Sequence, residues 1–237
     1  MALIIINFAL SLLAIIYVFI AVFCSITVLL CFVNGILDIG KLRYKYGRKI
    51  MLFRTIAQFE KVSYEQFFND FVKTFNLQAT RKLKDGTIET VDLDSFIRPF
   101  YDSIKLPQRA TSGSAGYDFY TPIDLNIVPN TTVKIPTGIR CKMKKNYVLQ
   151  IYPRSSLGFK YRCQLNNTVG IVDEDYFYSG NEGHIFIKIT NSTLDDKTIS
   201  LKRGDAFAQG IFTKYYLANE EKITTKRNGG FGSTNGE

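Results

Sequence analysis

Asn166-Asn167-Thr168-Val169-Gly170-Ile171-Val172-Asp173-Glu174-Asp175-Tyr176 is a β-branched run that stops abruptly in three acids and a tyrosine. Val, Ile and Thr suit a pleated, half-buried surface, so the run predicts a strand. Three carboxylates gathered at its end repel one another and need a compensating partner. Gly170, set inside the run, marks a place where another group approaches bare backbone. An amide, an exposed backbone, a carboxylate and an aromatic ring can together hold a planar ring, a sugar and a reacting water. The competing reading is a solvated β-turn that happens to be acidic.

Around this stretch the texture is β-rich. His184-Ile-Phe-Ile-Lys-Ile-Thr190 alternates as a half-buried strand does, and Pro122, Pro129, Pro136 and Pro153 punctuate similar short runs. Many short strands without long helical periods predict an all-β barrel or sandwich over residues 99–225, followed by a glycine-rich tail at 226–237. Residues 38–98 read instead as a basic juxtamembrane segment and a helical and hairpin linker, a spacer or small accessory domain. Ser63 with Gln66 three positions on resembles a capping box opening a helix through Phe75. Phe67, Phe68, Phe71, Val72 and Phe75 fall on one face of it, a packing stripe to which no chemistry is assigned. Asp85-Gly86, between Arg81 and Val91, predicts a hairpin turn.

No charged side chain occurs from Met1 to Leu37. Ala2 to Val33 is almost wholly apolar, and as a helix it would run about 48 Å against a hydrocarbon core of ~30 Å. No basic residue precedes this run and no small-x-small site follows it, so residues 1–37 read as a membrane anchor and not as a cleaved leader. Lys41, Arg43, Lys45, Arg48, Lys49 and Arg54 follow without an intervening acid. That flank predicts a single-pass protein whose remaining chain faces the cytoplasm. It also accounts for much of the net charge of +9, so no nucleic-acid-binding face is expected. The four cysteines form no CxxC pair, which argues against a disulfide framework or zinc site and for a reducing compartment. His184 is the only histidine, which excludes mechanisms needing two.

Five short motifs stand in order in the β region: Gly113-Ser-Ala-Gly-Tyr-Asp118, Pro153-Arg-Ser-Ser-Leu157, the acidic stretch above, Arg203-Gly-Asp-Ala-Phe-Ala-Gln209, and Gly229-Gly-Phe-Gly-Ser-Thr234. Ser155 precedes Asn167 by twelve residues and Asn167 precedes Asp173 by six. Together these motifs resemble the trimeric dUTP pyrophosphatases (dUTPases). The resemblance covers the chain from about residue 100 onward. It implies a dUTPase-like β-barrel or jelly-roll domain, a homotrimer with sites built from neighbouring subunits, and Mg²⁺-dependent hydrolysis of dUTP to dUMP and pyrophosphate. Such an activity limits uracil incorporation into DNA and supplies dUMP for dTMP synthesis.

Residue by residue, the resemblance makes Asp173 the base for the attacking water and Ser155 a contact near the scissile bridge. Asn167 and the main chain near Gly170 would read uracil, and Tyr176 would pack on the deoxyribose. Arg154 and Gln209 would meet the phosphates, and Asp118 would meet Mg²⁺ through water. Phe231 would stack on uracil as the tail closes, with Gly232, Ser233 and Thr234 reaching phosphate. Three departures stand out. Lys226 occupies the position of the usual tail arginine and Arg227 follows it, so both are candidates for the phosphate contact. Ala206 replaces a common basic residue, and Phe177-Tyr-Ser-Gly180 lengthens the loop after Tyr176. The rival readings are a dCTP deaminase-like enzyme of the same superfamily and a catalytically silent, membrane-tethered nucleotide sensor or scaffold.

Overall fold

Helix α1 (Tyr17–Gly35) is 19 residues long with a mean hydropathy of 2.4, long and apolar enough to cross a membrane. Its hydroxyls bond back along the helix: Ser25 Oγ donates to Ala21 O at 2.8 Å and Thr27 Oγ1 to Phe23 O at 3.0 Å. That is how polar side chains are satisfied within an apolar helix. The computed structural model describes residues 17–31, 33–35, 55–82, 87–219 and 227, and the chain divides into two compact units, Met1–Thr55 and Ile56–Glu237. The basic cluster at 41–54 and the Asp85-Gly86 turn lie outside the described residues.

The second unit begins with β1 (Ala57–Lys61), α2 (Tyr64–Phe75), a short hairpin of β2 (Thr80–Lys82) and β3 (Ile88–Thr90), and α3 (Leu93–Asp102). A strand-rich stretch follows: β4 (Gln108–Arg109), β5 (Tyr117–Tyr120), β6 (Leu125–Ile127), β7 (Thr132–Pro136), β8 (Ile139–Met143) and β9 (Tyr147–Pro153). After α4 (Ser155–Tyr161) come β10 (Cys163–Leu165), β11 (Gly170–Val172), β12 (Phe186–Asn191), β13 (Ile199–Leu201) and β14 (Ala206–Lys214). The largest sheet has the order β11-β9-β14-β5-β4, and a second has the order β10-β12-β7. Strand β1 pairs with β8, Ala57 opposite Met143 through Lys61 opposite Ile139. The β-rich expectation holds.

Phe119, Ile135, Leu149, Ile189 and Phe207 are fully buried, and Phe67 of α2 and Ile97 of α3 belong to the same core. The aromatic stripe of α2 therefore packs as its spacing predicts, and α2 and α3 share the β domain's own core through Phe67, Phe71 and Ile97 instead of forming a separate linker. The expected boundary at 98/99 falls inside α3, which carries Pro99 in its seventh position. Proline there forfeits one helical N–H, and a reading that treats proline as a boundary marker stops one turn early. The capping box forms by half. Ser63 Oγ accepts from Gln66 N at 3.1 Å, but the Gln66 side chain turns to Asp70 at 2.8 Å, and Ser63 N donates to Glu182 at 2.8 Å instead. All four cysteines are free; burial pushes the Cys141 thiol up to about 12 and the Cys163 thiol up to about 11. Both stay protonated and unreactive at neutral pH.

Asp70 ties α2 to the β domain, 2.6 Å from Nδ1 of the fully buried His184. Burial pushes the Asp70 carboxyl up, but hydrogen bonds from His184 and Gln66 outweigh it and hold the group below its ordinary range. Its stabilisation is therefore complete above the unfolded value of roughly 3.9 and is lost as pH falls through the lower folded value. As pH drops from about 5 to about 3, the urea midpoint of the wild type is expected to fall more than that of Asp70→Asn, which cannot titrate.

Candidate active site

Strand β11 lies against β9 with Gly170 opposite Ile151 and Val172 opposite Leu149. A Cβ on Gly170 would stand 3.1 Å from the Ile151 Cβ, so glycine lets the two strands close up here. The turn before β11 is tight: Thr168 has φ 63° and its N–H donates to Leu165 O at 3.0 Å. A β-branched residue at positive φ is uncommon and persists only where its surroundings fix it. This turn presents Asn167 at the rim of a cavity of about 320 Å³, whose wall includes Gly170, Asp173, Tyr176, Phe186, Lys188 and Arg227.

Each of the three acids has a partner. Arg227 donates through Nη2 to Asp173 and through Nε to Asp175, the latter at 2.8 Å, and Glu174 accepts from Asn146 N at 2.6 Å. The Arg227 guanidinium carbon also lies 6.0 Å from the centre of the Tyr176 ring. Tyr176 is 6% exposed; its hydroxyl donates to His184 O at 2.7 Å and accepts from Asn181 Nδ2 at 2.9 Å. Burial raises its pKa, partly offset by the Asn181 hydrogen bond. The acidic strand end is thus built around a guanidinium and a buried phenol, which a solvated turn would not be.

A second cluster forms around β5, β14 and the start of α4. Asp118 and Gln209 are opposite one another in the β5–β14 pairing. Arg154 Nη2 lies 3.7 Å from Asp118 Oδ2, and Gln209 Nε2 donates to Pro153 O at 3.3 Å. A Cβ on Gly116 would meet Gln209 Oε1 at 2.7 Å, so that glycine makes room for the amide. Ser155 is the first residue of α4 and is exposed. Among the described residues no group of three or more His, Cys, Asp or Glu side chains is arranged to hold a metal ion.

None of Asp118, Arg154, Ser155 and Gln209 lines the cavity that holds Asp173. Val172 pairs with Leu149 near one end of β9, while Ser155 follows the other end, six residues further on. Fully extended, those six residues would reach at most about 20 Å. Lys226, Phe231, Gly232, Ser233 and Thr234 lie outside the described residues. Phe186 and Lys188 also wall the cavity, a role not expected for them. The alternation of His184–Thr190 was visible, but which face would look into a cavity depends on pairing with β7 and β10.

The fold is thus a β-rich domain with an amide, a carboxylate and an aromatic ring around one cavity, and an arginine, an acid and a glutamine in a second group. The dUTPase family model matches residues 102–235. A deoxyuridine 5'-triphosphate nucleotidohydrolase of Lactococcus lactis is 38% identical over 134 residues, covering 55% of this chain and 88% of that protein. One from Helicobacter pylori is 31% identical over 143 residues, covering 58% and 94%. The crystal structure of dUTPase from Streptococcus mutans is 31% identical and covers 60% of this chain and 99% of that chain, with a TM-score of 0.45. The chain belongs to the dUTPase family.

The Arg227 ion pairs are partly exposed, so together they are worth about 1 kcal/mol. Replacing both acids (Asp173→Asn with Asp175→Asn) is expected to speed tryptic cleavage after Arg227 by up to about fivefold, read by mass spectrometry of timed digests.

Proposed function

We propose that the chain hydrolyses dUTP to dUMP and pyrophosphate: water attacks the α-phosphorus, and the bond to the oxygen bridging toward the β-phosphorus breaks. The observation that carries this is Asp173, at the edge of the cavity walled by Gly170 and Tyr176 and inside the family-matched residues. A water nucleophile needs a base, and a positioned carboxylate contributes about 10² to 10⁴ in rate. The Asn167 amide and the main chain beside Gly170 pair with the uracil edge through donor and acceptor. Cytosine reverses that pattern at the ring's 4-position and leaves buried partners unpaired. The Tyr176 ring packs against the deoxyribose and leaves no room for a 2′-hydroxyl.

Ser155, Arg154 and Gln209 receive the phosphates, and Asp118 offers the hard oxygen that Mg²⁺ takes through water, in keeping with an ion that retains several waters and leans on phosphate. When bound, Mg²⁺ neutralises phosphate charge. Arg227 exchanges its two carboxylates for phosphate as substrate enters, with Lys226 as a second cation. Phe231 stacks on the base while Gly232, Ser233 and Thr234 close over the phosphates.

That Ser155, Arg154 and Gln209 are not among the walls of the Asp173 cavity supports a site completed by another copy. A homotrimer gives three equal composite sites with closed symmetry. Helix α1 and the basic residues after it support a single membrane span with the enzyme on the cytoplasmic side.

Pyrophosphate release with Mg²⁺ should be strong for dUTP and weak for dTTP, dCTP and UTP; ammonia release from dCTP would sink this reading in favour of a deaminase. Asp173→Asn should lower kcat by about 10² or more while nucleotide binding persists. Co-expressing Asp173→Asn with Ser155→Ala, each inactive alone, should restore about a quarter of the wild-type activity by random mixing of subunits. Failure to complement would mean that a single chain builds the whole site.

A further inference from the structure

Helix α2 belongs to the segment that the dUTPase family model leaves uncovered. Its Asp70 lies 2.6 Å from His184 Nδ1, and Gln66 Nε2 donates to the same carboxylate oxygen at 2.8 Å. The other ring nitrogen of His184, Nε2, accepts from Gly138 N at 2.8 Å. With Nε2 as acceptor, Nδ1 carries the proton and donates to Asp70. The ring is therefore held at both nitrogens, inside the core. The same histidine's carbonyl receives the Tyr176 hydroxyl at 2.7 Å. One continuous chain of contacts thus runs from α2 through Asp70 and His184 to the tyrosine wall of the cavity.

A second contact fixes the other side of this loop. Glu182 has φ 56°, an unfavourable backbone for a residue with a side chain, and Gly183 follows at φ 71°. A Cβ on Gly183 would lie 2.6 Å from the Phe177 Cα, so only glycine fits. Glu182 accepts from Ser63 N at 2.8 Å and from Ser63 Oγ at 2.7 Å, and its carboxylate lies 3.8 Å from Arg140 Nη1. Arg140 in turn reaches Glu60 of β1 at 2.9 Å. Burial raises the Glu182 carboxyl, but the Ser63 hydrogen bonds and Arg140 outweigh it and bring it below its ordinary range. The loop that runs from Tyr176 to His184, lengthened by Phe177-Tyr-Ser-Gly180, is clamped at two points by a segment foreign to the family-matched region.

We propose that α2 is a positioning element for the sugar-facing wall of the cavity, with Asp70 acting through His184 on Tyr176 and Ser63 holding Glu182 in support. This rests on the dUTP reading and deepens it: selectivity for deoxyribose over ribose depends on residues outside the family-matched part of the chain. A ring that excludes a single hydroxyl must be held to within about half an ångström, and side chains achieve that only when other contacts lock them. Loosening the loop admits the 2′-hydroxyl of a ribonucleotide while costing dUTP little.

The test uses the full chain as wild type, Asp70→Ala, Asp70→Asn and Glu182→Gln. For each, kcat and KM are measured with dUTP and UTP, together with equilibrium binding of their α,β-imido analogues and the thermal midpoint. Asp70→Ala should lower the dUTP-to-UTP ratio of kcat/KM by about tenfold or more, mainly through a lower KM and tighter binding for the ribonucleotide. Asp70→Asn keeps an acceptor for the His184 N–H and should recover most of the ratio, and Glu182→Gln should shift it in the same direction by less. A purely structural role would lower the thermal midpoint and scale both nucleotides alike, which would overturn the proposal. If Asp70→Ala does not fold, the ratio in Glu182→Gln decides: a shift supports the clamp and an unchanged ratio overturns it. Unchanged ratios in a wild type that does prefer dUTP defeat only the clamp, whereas a wild type without that preference defeats the dUTP reading and the clamp with it.

Discussion

The antiparallel pairing of β9 governs where everything else goes. On one side it carries β11, and on the other it pairs with β14 over seven residues, from Pro153 opposite Ala208 to Tyr147 opposite Lys214. Because side chains alternate along a strand, a slip of one residue would turn Leu149 and Ile151 out of the core and move Gly170 off Ile151. The neighbouring β5–β14 pairing sets Asp118 opposite Gln209, and the end of β9 delivers Arg154 and Ser155. Adjoining ladders of backbone hydrogen bonds in one sheet therefore fix two chemically distinct clusters.

The acidic strand end illustrates how charge is managed where chemistry is wanted. Asp173 and Asp175 share the Arg227 guanidinium, and Glu174 accepts a backbone N–H from Asn146. Without those partners, three adjacent carboxylates would oppose the strand end they occupy. Arg227 and Asp173 both wall the cavity, so this pairing sits at the cavity itself. Since the pairs are partly exposed, breaking them costs little.

Much of this was legible in the sequence, and the reasons are local. Ser63 caps α2 as its side chain and position predict, the phenylalanine stripe is buried where helical spacing puts it, and β12 follows the alternation after His184. The five motifs carried the family because each pairs a turn-forming glycine or proline with a functional side chain. What stayed hidden depends on partners remote in sequence. Asp70 and His184 are 114 residues apart, and nothing in either neighbourhood marks the other. Gln66 completes no capping box because Glu182, brought in by the fold, takes the Ser63 N–H first. The start of the β domain expected at residue 99 falls inside α3, whose Ile97 is buried in the core. Two separate clusters cannot be told from one by motif order, because motif order carries no strand register.

Strand β1 has a consequence for how such a protein is handled. It is the sole sheet partner of β8 among the described residues, covering five consecutive positions from Ile139 to Met143. A chain trimmed to the family-matched part, from residue 102 onward, would strip β8 of that partner and leave Arg140 without Glu60. An open strand of that length is a template for pairing with another molecule. The added segment is thus a cover as well as a brace. Shortening the chain toward the size of its relatives is a route to intermolecular strand exchange and loss from solution, not to a minimal enzyme.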